Sequence, residues 1–121
     1  MKILIAPDSF KGSLSAEQVA LTIKQALEEE WNHLTISTKP MADGGEGTID
    51  AILAATNGKR IQITTAGPLG APIQTSYALL PSNTAIIETA MHAGLYQIHH
   101  EERNPYNTTT YGIGEAILHA L

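Results

Sequence analysis

The most constraining stretch of the chain is its first. Ile3 to Ala6 is continuously apolar and stops abruptly at Pro7-Asp8. A short apolar run without alternation reads as a strand buried on both faces, the kind that parallel sheets contain. Asp8 to Ser15 is polar. Ser15 followed three residues later by Gln18 has the form of a capping box, and Val19, Ile23, Ala26 and Leu27 then recur at helical spacing as far as Trp31. Glu28-Glu29-Glu30 sits against the negative end of that helix and reads as a solvated face, not a metal cluster. His33 to Thr38 alternates around Leu34 and Ile36, a second strand. Lys39 to Gly47 is a loop. Thr48 starts a second helix with Ile49, Ile52 and Leu53 on one side, and Asn57-Gly58 stops it. Arg60 to Thr65 alternates through Ile61 and Ile63. Residues 1–65 therefore read β-α-β-α-β, which implies a parallel sheet with right-handed crossovers.

The pattern changes at Gly67-Pro68-Leu69-Gly70. Ile73, Thr75, Tyr77 and Leu79 stand two apart, Pro81-Ser82-Asn83 is a turn, and Thr84 to Thr89 is extended again. Two strands on a short turn form an antiparallel hairpin. The boundary of a second structural unit is placed near residues 66–71. A short segment at Met91–Leu95 and a polar loop follow. Thr108-Thr109-Thr110 then precedes a last helix carrying Ile113, Ala116, Ile117 and Leu121. The chain stops inside that periodicity with no cap beyond Leu121, which is the expectation for a fragment. No repeat or low-complexity stretch is visible.

Composition removes several classes. At 121 residues and 43% hydrophobic, the chain is long enough for one domain and too apolar for disorder. It has no cysteine, hence no disulfide scaffold and no thiolate chemistry, as expected of a cytoplasmic protein. Seven Lys and Arg against twelve Asp and Glu give a net charge of −5, a poor match for nucleic acid. The opening apolar run is too short for a signal peptide, and no stretch has the length of a membrane span. The oligomeric state is not written in the sequence.

Two loops could carry chemistry. Asp8-Ser9-Phe10-Lys11-Gly12-Ser13 and Met41-Ala42-Asp43-Gly44-Gly45-Glu46-Gly47-Thr48 each follow a strand and precede a helix. In a parallel sheet such loops share the edge beyond the carboxyl ends of the strands, where open α/β sheets bind ligands. Gly44, Gly45 and Gly47 can bare backbone amides before a helix start, an anion site. Lys11 can neutralise phosphate. Asp8, Asp43 and Glu46 are general bases or hard oxygen ligands suited to Mg²⁺ beside a phosphate. Anion donors beside carboxylates are what phosphoryl transfer needs. The alternative is ordinary turn chemistry, since Asp-Gly-Gly is common in turns. A third candidate is Arg103-Asn104-Pro105 with Thr108, Thr109 and Thr110 before Gly112-Ile113-Gly114. Arg103 could hold a carboxylate by two prongs, while the alternative is a capped helix whose glycines pack closely. No Walker-type phosphate loop, third dinucleotide-site glycine or nucleophile elbow is present. His99-His100-Glu101-Glu102 reads as a solvated loop, and Met41 and Met91 read as core.

Three segments together go further: Ile5-Ala6-Pro7-Asp8-Ser9-Phe10-Lys11-Gly12-Ser13-Leu14-Ser15-Ala16, then Pro40-Met41-Ala42-Asp43-Gly44-Gly45-Glu46-Gly47-Thr48, then Arg103-Asn104-Pro105-Tyr106-Asn107-Thr108-Thr109-Thr110-Tyr111-Gly112. In this order and spacing the chain resembles the amino-terminal part of the bacterial glycerate kinase family. Gly67-Pro68-Leu69-Gly70 and Ile87-Glu88-Thr89-Ala90 also resemble that family's pattern.

The resemblance implies an enzyme that phosphorylates D-glycerate with ATP and Mg²⁺, giving 2-phosphoglycerate. It implies a Rossmann-like domain, begun here by residues 1–66, and an inserted second α/β domain, begun by residues 67–121. It implies longer members with a further glycine-rich stretch, so that these residues alone would be inactive. Asp8, Lys11 and Asp43 would then be catalytic, with Asp8 and Asp43 as base or metal ligand. Ser9, Ser13, Gly44, Gly45, Glu46, Arg103, Thr108, Thr109 and Thr110 would bind phosphate or glycerate. The competing reading is a truncated, non-catalytic module that binds a small anion or a partner chain.

Overall fold

A computed structural model describes residues 1–121. The architecture is α/β, and its contacts divide into two units, Met1–Ala51 and Ile52–Leu121.

In the first unit, β1 (Lys2–Ile5) and β2 (Thr35–Thr38) pair in parallel, with Lys2 opposite Thr35 and Ile5 opposite Thr38. Between them runs α1 (Ala16–Glu30), which packs against both strands. The capping box is formed. The Ser15 hydroxyl accepts from the Gln18 amide at 3.2 Å, and the Gln18 side chain accepts from the Ser15 amide at 2.9 Å. α1 ends where the Trp31 amide donates to the Leu27 carbonyl. The Glu28 carboxylate meets Lys24 one turn earlier at 3.8 Å, on the water-facing side. Ile5, Val19, Ala20 and Ile49 are the buried apolar residues here.

The strand expected to be covered on both faces is covered on one: Ile5 is buried, but Leu4 is 65% exposed. The single helix α1 can shield only one side of a two-stranded sheet. Met41, expected in the core, is instead 53% exposed in the loop after β2. α2 (Thr48–Ala55) begins in this unit and ends in the next.

The second unit is built on an antiparallel sheet of order β3-β4-β5, from β3 (Lys59–Ala66), β4 (Pro72–Leu79) and β5 (Ala85–Ile86). Here the β-α-β-α-β reading is corrected. Its third strand does not extend the parallel sheet but pairs antiparallel with β4, from Lys59 opposite Leu79 to Ala66 opposite Pro72. The reason lies in the connection. Gly67 and Ala71 close a tight turn by a 2.7 Å hydrogen bond, with Gly70 at φ 85°. Such a turn can only reverse the chain, because a parallel return needs a crossover of roughly a dozen residues. The second hairpin forms as expected between β4 and β5, around Asn83 at φ 57°.

Short α3 (Thr89–Ala93) and two 3-10 turns, Leu95–Gln97 and His100–Glu102, lead to α4 (Tyr111–Ala120). Alternate residues of the sheet, Ile63 and Tyr77, make the core with Ala116 of α4, and Ile61, Leu79 and Ala120 pack around them. Two contacts seat the start of α4 on β3: the Glu115 carboxylate accepts the Ala66 amide at 2.7 Å, and Gly112 lies against the Ala66 carbonyl. No helix is long and apolar enough to cross a membrane.

Candidate functional site

The sequence-derived residues fall into two groups, one in each unit. In the first unit, the parallel pairing continues past the strands. Lys39 donates to the Ile5 carbonyl at 2.8 Å and Met41 to the Pro7 carbonyl at 2.9 Å. Pro7 precedes Asp8, and Met41 stands two residues before Asp43. Both loops therefore leave adjacent strand ends on the same edge, as the strand–loop–helix reading requires.

Each loop is shaped by its own polar groups. Asp8 Oδ1 accepts the Ser9 amide at 2.7 Å. Phe10 and Leu14 then close a tight turn, with Gly12 at φ 70°, which puts Lys11 and Ser13 at its exposed tip. Lys11 makes no ion pair. In the second loop Asp43 Oδ1 accepts the Gly45 amide at 3.0 Å, and the Thr48 hydroxyl donates to the Gly45 carbonyl at 2.7 Å, starting α2. Gly44 and Gly47 have φ of 98° and 89°, a backbone region that a side chain strains. The amides of Gly44 and Glu46 make no hydrogen bond within the chain. The loop thus combines unengaged amides, a helix start and exposed carboxylates.

Mg²⁺ fits this donor set in one way only. No three Asp, Glu or His side chains gather where they could hold a metal, so a cage made wholly of protein is not built. Asp8 and Asp43 each spend one carboxylate oxygen on a loop amide and keep the other. Mg²⁺ commonly takes one or two carboxylates and completes its shell with water and substrate phosphate. These two residues suit an ion that arrives with a nucleotide.

In the second unit, Arg103, Thr108, Thr109 and Thr110 line one open cleft of about 450 Å³ together with Pro68 and Leu95. The Thr109 amide donates to the Pro68 carbonyl at 2.9 Å, tying the β3–β4 turn to the entry of α4. Arg103 is anchored by carbonyls: its Nε donates to Ile98 and its Nη2 to Leu95, both at 3.3 Å. Sequence reasoning missed Pro68, Leu95 and Ile98 because their part is played by backbone oxygens, which residue type does not reveal. A usable signal existed: Arg103 is the only Lys or Arg after Arg60. The two helix-start glycines divide. A Cβ on Gly112 would collide with the Ala66 carbonyl oxygen, so that glycine serves packing, whereas Gly114 faces open space. His99 and His100 stand exposed beside the cleft-forming turns.

His92 was not singled out by the sequence. It is 1% exposed, with Nδ1 at 3.4 Å from the Thr65 hydroxyl and Nε2 without a hydrogen-bond partner. Desolvation pushes its pKa below the ordinary histidine value, against a smaller upward pull from the Ser76 backbone.

Comparison with known proteins finds relatives along the whole chain. The family model described as the glycerate kinase family matches residues 3–121. The chain is 43% identical to a glycerate kinase of Bacillus subtilis (strain 168) and 44% identical to a glycerate 2-kinase of Escherichia coli (strain K12), covering 100% of this chain and 32% of each relative. It therefore spans about a third of the length of the curated relatives it matches. A crystal structure assigned to a glycerate kinase 2 from Salmonella typhimurium LT2 aligns with TM-score 0.74 at 45% identity, over 99% of this chain and 33% of that one. Matched along nearly all of its residues, the chain belongs to the glycerate kinase family.

Proposed function

We propose that the protein containing this chain transfers the γ-phosphoryl group of ATP to the 2-hydroxyl of D-glycerate, giving 2-phosphoglycerate and ADP. The observation that carries this reading is the family match over residues 3–121, and the E. coli relative's name specifies a glycerate 2-kinase. Because the chain spans about a third of its relatives, the activity is proposed for the whole protein, with the residues here supplying part of its site.

In this reading the substrate's hydroxyl oxygen attacks the γ-phosphorus, forming one P–O bond while the bond to the ADP oxygen breaks. The hydroxyl proton passes to a carboxylate, Asp8 or Asp43. Lys11 and the amides of Gly44 and Glu46 face the growing charge on the phosphoryl oxygens, where fixed donors lower the barrier most, while the Gly45 amide is held by Asp43 Oδ1. Ser9 and Ser13 add hydroxyl donors beside them. Whichever of Asp8 and Asp43 does not take the proton would hold Mg²⁺, which would supply neutralisation of phosphate charge. In the second unit, Arg103 and Thr108–Thr110 are the candidates for binding phosphate or glycerate.

The test is steady-state ADP formation by the full-length protein with D-glycerate and ATP. Asp8→Asn and Asp43→Asn are each expected to lower kcat at least about tenfold, or about 1.4 kcal/mol of barrier, with circular dichroism unchanged. Wild-type rates from both variants would remove these aspartates from the chemistry. A full-length protein that binds glycerate or MgATP without turnover would be the non-catalytic module instead.

A further inference from the structure

We propose that Asn57 is a site of spontaneous covalent modification, at which the Gly58 backbone nitrogen attacks the Asn57 side chain and the residue matures to aspartate and isoaspartate. The site is the turn between α2 and β3, and it stands independently of the kinase reading.

The chemistry follows from the residue pair. The main-chain nitrogen after an asparagine can close a small, unstrained ring with that asparagine's Cγ. The nitrogen gives its proton to solvent base and bonds to Cγ, and the Cγ–Nδ2 bond breaks as ammonia leaves. Water then opens the cyclic imide. Opening at Cγ gives aspartate, and opening at the main-chain carbonyl gives isoaspartate, whose backbone runs through Cβ and Cγ. In sum one side-chain amide and one water become one carboxylic acid and one ammonia. A side chain on the following residue obstructs the attack, and glycine has none. Of the chain's five asparagines only Asn57 precedes a glycine. Asn32 precedes His33, Asn83 and Asn107 precede threonines, and Pro105 after Asn104 has no N–H to give up. All five are exposed, so exposure does not separate them.

The fold leaves both reacting groups unrestrained. Asn57 stands outside both elements, after Ala55 ends α2 and before Lys59 starts β3, and its side chain makes no hydrogen bond within the chain. The Gly58 amide reaches only the Thr56 hydroxyl oxygen, at 3.4 Å, longer than an ordinary N–H···O bond. Asp43-Gly44 shows the contrast. Its follower is also glycine, but Asp43 Oδ1 is held by the Gly45 amide at 3.0 Å, and a carboxylate resists nucleophilic attack. The surroundings of Gly58 also set the consequence. A Cβ there would lie 2.7 Å from Leu80 Cδ2, 2.9 Å from Leu53 Cδ2 and 3.3 Å from the Leu79 carbonyl oxygen. Gly58 thus fills a narrow slot between the end of α2 and the end of β4. Isoaspartate inserts an extra main-chain atom just before that slot and displaces Gly58 from it. Aspartate leaves the backbone as it was and adds one negative charge to a net charge of −5.

The experiment ages the full-length protein in mildly acidic and mildly alkaline buffer, folded and in urea, and follows each asparagine by peptide mass spectrometry. The Asn57 peptide is expected to gain the mass that replacing –NH₂ by –OH brings, faster in alkali. Its rate should exceed that of every other asparagine by at least about tenfold, or about 1.4 kcal/mol of barrier. The folded rate should lie within about tenfold of the rate in urea, the same margin of barrier. An isoaspartyl methyltransferase is expected to label the same peptide. Asn57→Gln, which would have to close a larger ring, is expected to lose both signals. No mass gain at Asn57, gains spread evenly over the asparagines, or a folded rate more than about tenfold below that in urea would each overturn the proposal. Anion exchange then isolates the isoaspartyl form. Its urea midpoint is expected to fall below that of Asn57→Asp, which should match the wild type. Equal midpoints for the two would show that the slot around Gly58 does not register the added atom, and that part of the proposal would be overturned.

Discussion

His92 carries the clearest pH consequence at the residue scale. It is 1% exposed, while the other four histidines, His33, His99, His100 and His119, are exposed. Burial lowers its pKa in the folded chain. The unfolded chain, with the ordinary value near 6.5, takes up a proton that the folded chain refuses. Stability therefore rises with pH wherever the unfolded state binds more protons. It is full above about pH 6.5, falls as the pH drops from there to the folded-state pKa, and levels off below it. The urea midpoint of the wild type is expected to fall between pH 8 and pH 5 by more than that of His92→Gln. Parallel midpoints would show that His92 titrates freely. His92 also marks the reach of sequence reading. Asp8, Lys11, Asp43 and Arg103 stand out by type and by neighbouring glycines, threonines and prolines. A histidine in an ordinary apolar segment gives no such sign, because its environment is made by Thr65 and Ser76, distant in sequence.

At the scale of elements, the two glycines of α4 make opposite predictions. Gly112 permits the helix to approach β3; a methyl there would collide with the backbone carbonyl of Ala66, which cannot swing aside. Gly112→Ala is expected to destabilise the protein by about 3 kcal/mol through overpacking. Gly114 meets nothing within 4 Å, so Gly114→Ala should stabilise by up to about 1 kcal/mol from helix propensity alone. Denaturant midpoints of the two variants test this, and a shared sign would refute it. The same contrast explains what was legible. Local signals stood: the Ser15–Gln18 capping box, the turn at Pro81–Asn83, and the loops placed between strand and helix. Pairing partners did not follow from them. The alternation of Ile61 and Ile63 is the same whether β3 lies in a parallel or an antiparallel sheet, and only the five-residue closure from Gly67 to Ala71 decides between them. In the cleft, threonines and arginine were visible as residue types, but the carbonyls that aim the guanidinium were not.

At the scale of the whole molecule, the first unit has too little sheet for its apolar load. β1 and β2 form a two-stranded sheet, so each strand carries an unpaired edge, and such ribbons are marginal in water. Leu4 on the strand is 65% exposed, and Trp31 at the end of α1 is 49% exposed. On α4 of the second unit, Leu118 is 75% exposed and Tyr111 67%. Single exposed apolar residues are ordinary, but an apolar strand residue beside open backbone edges is a template for pairing with another chain. The relatives are about three times as long as this chain, which gives a matched comparison. The 121 residues expressed alone are expected to bind an apolar-surface dye and to sediment as several species whose proportions shift with concentration. The full-length protein is expected to bind little dye and to unfold in one cooperative step. Lysine placed at Leu4, which charges the strand face without touching the paired edge, should reduce association of the short form more than lysine at Leu118. A short form that is monodisperse and unfolds cooperatively would mean that α1 and two strands are sufficient by themselves, and the argument from unpaired edges would fail.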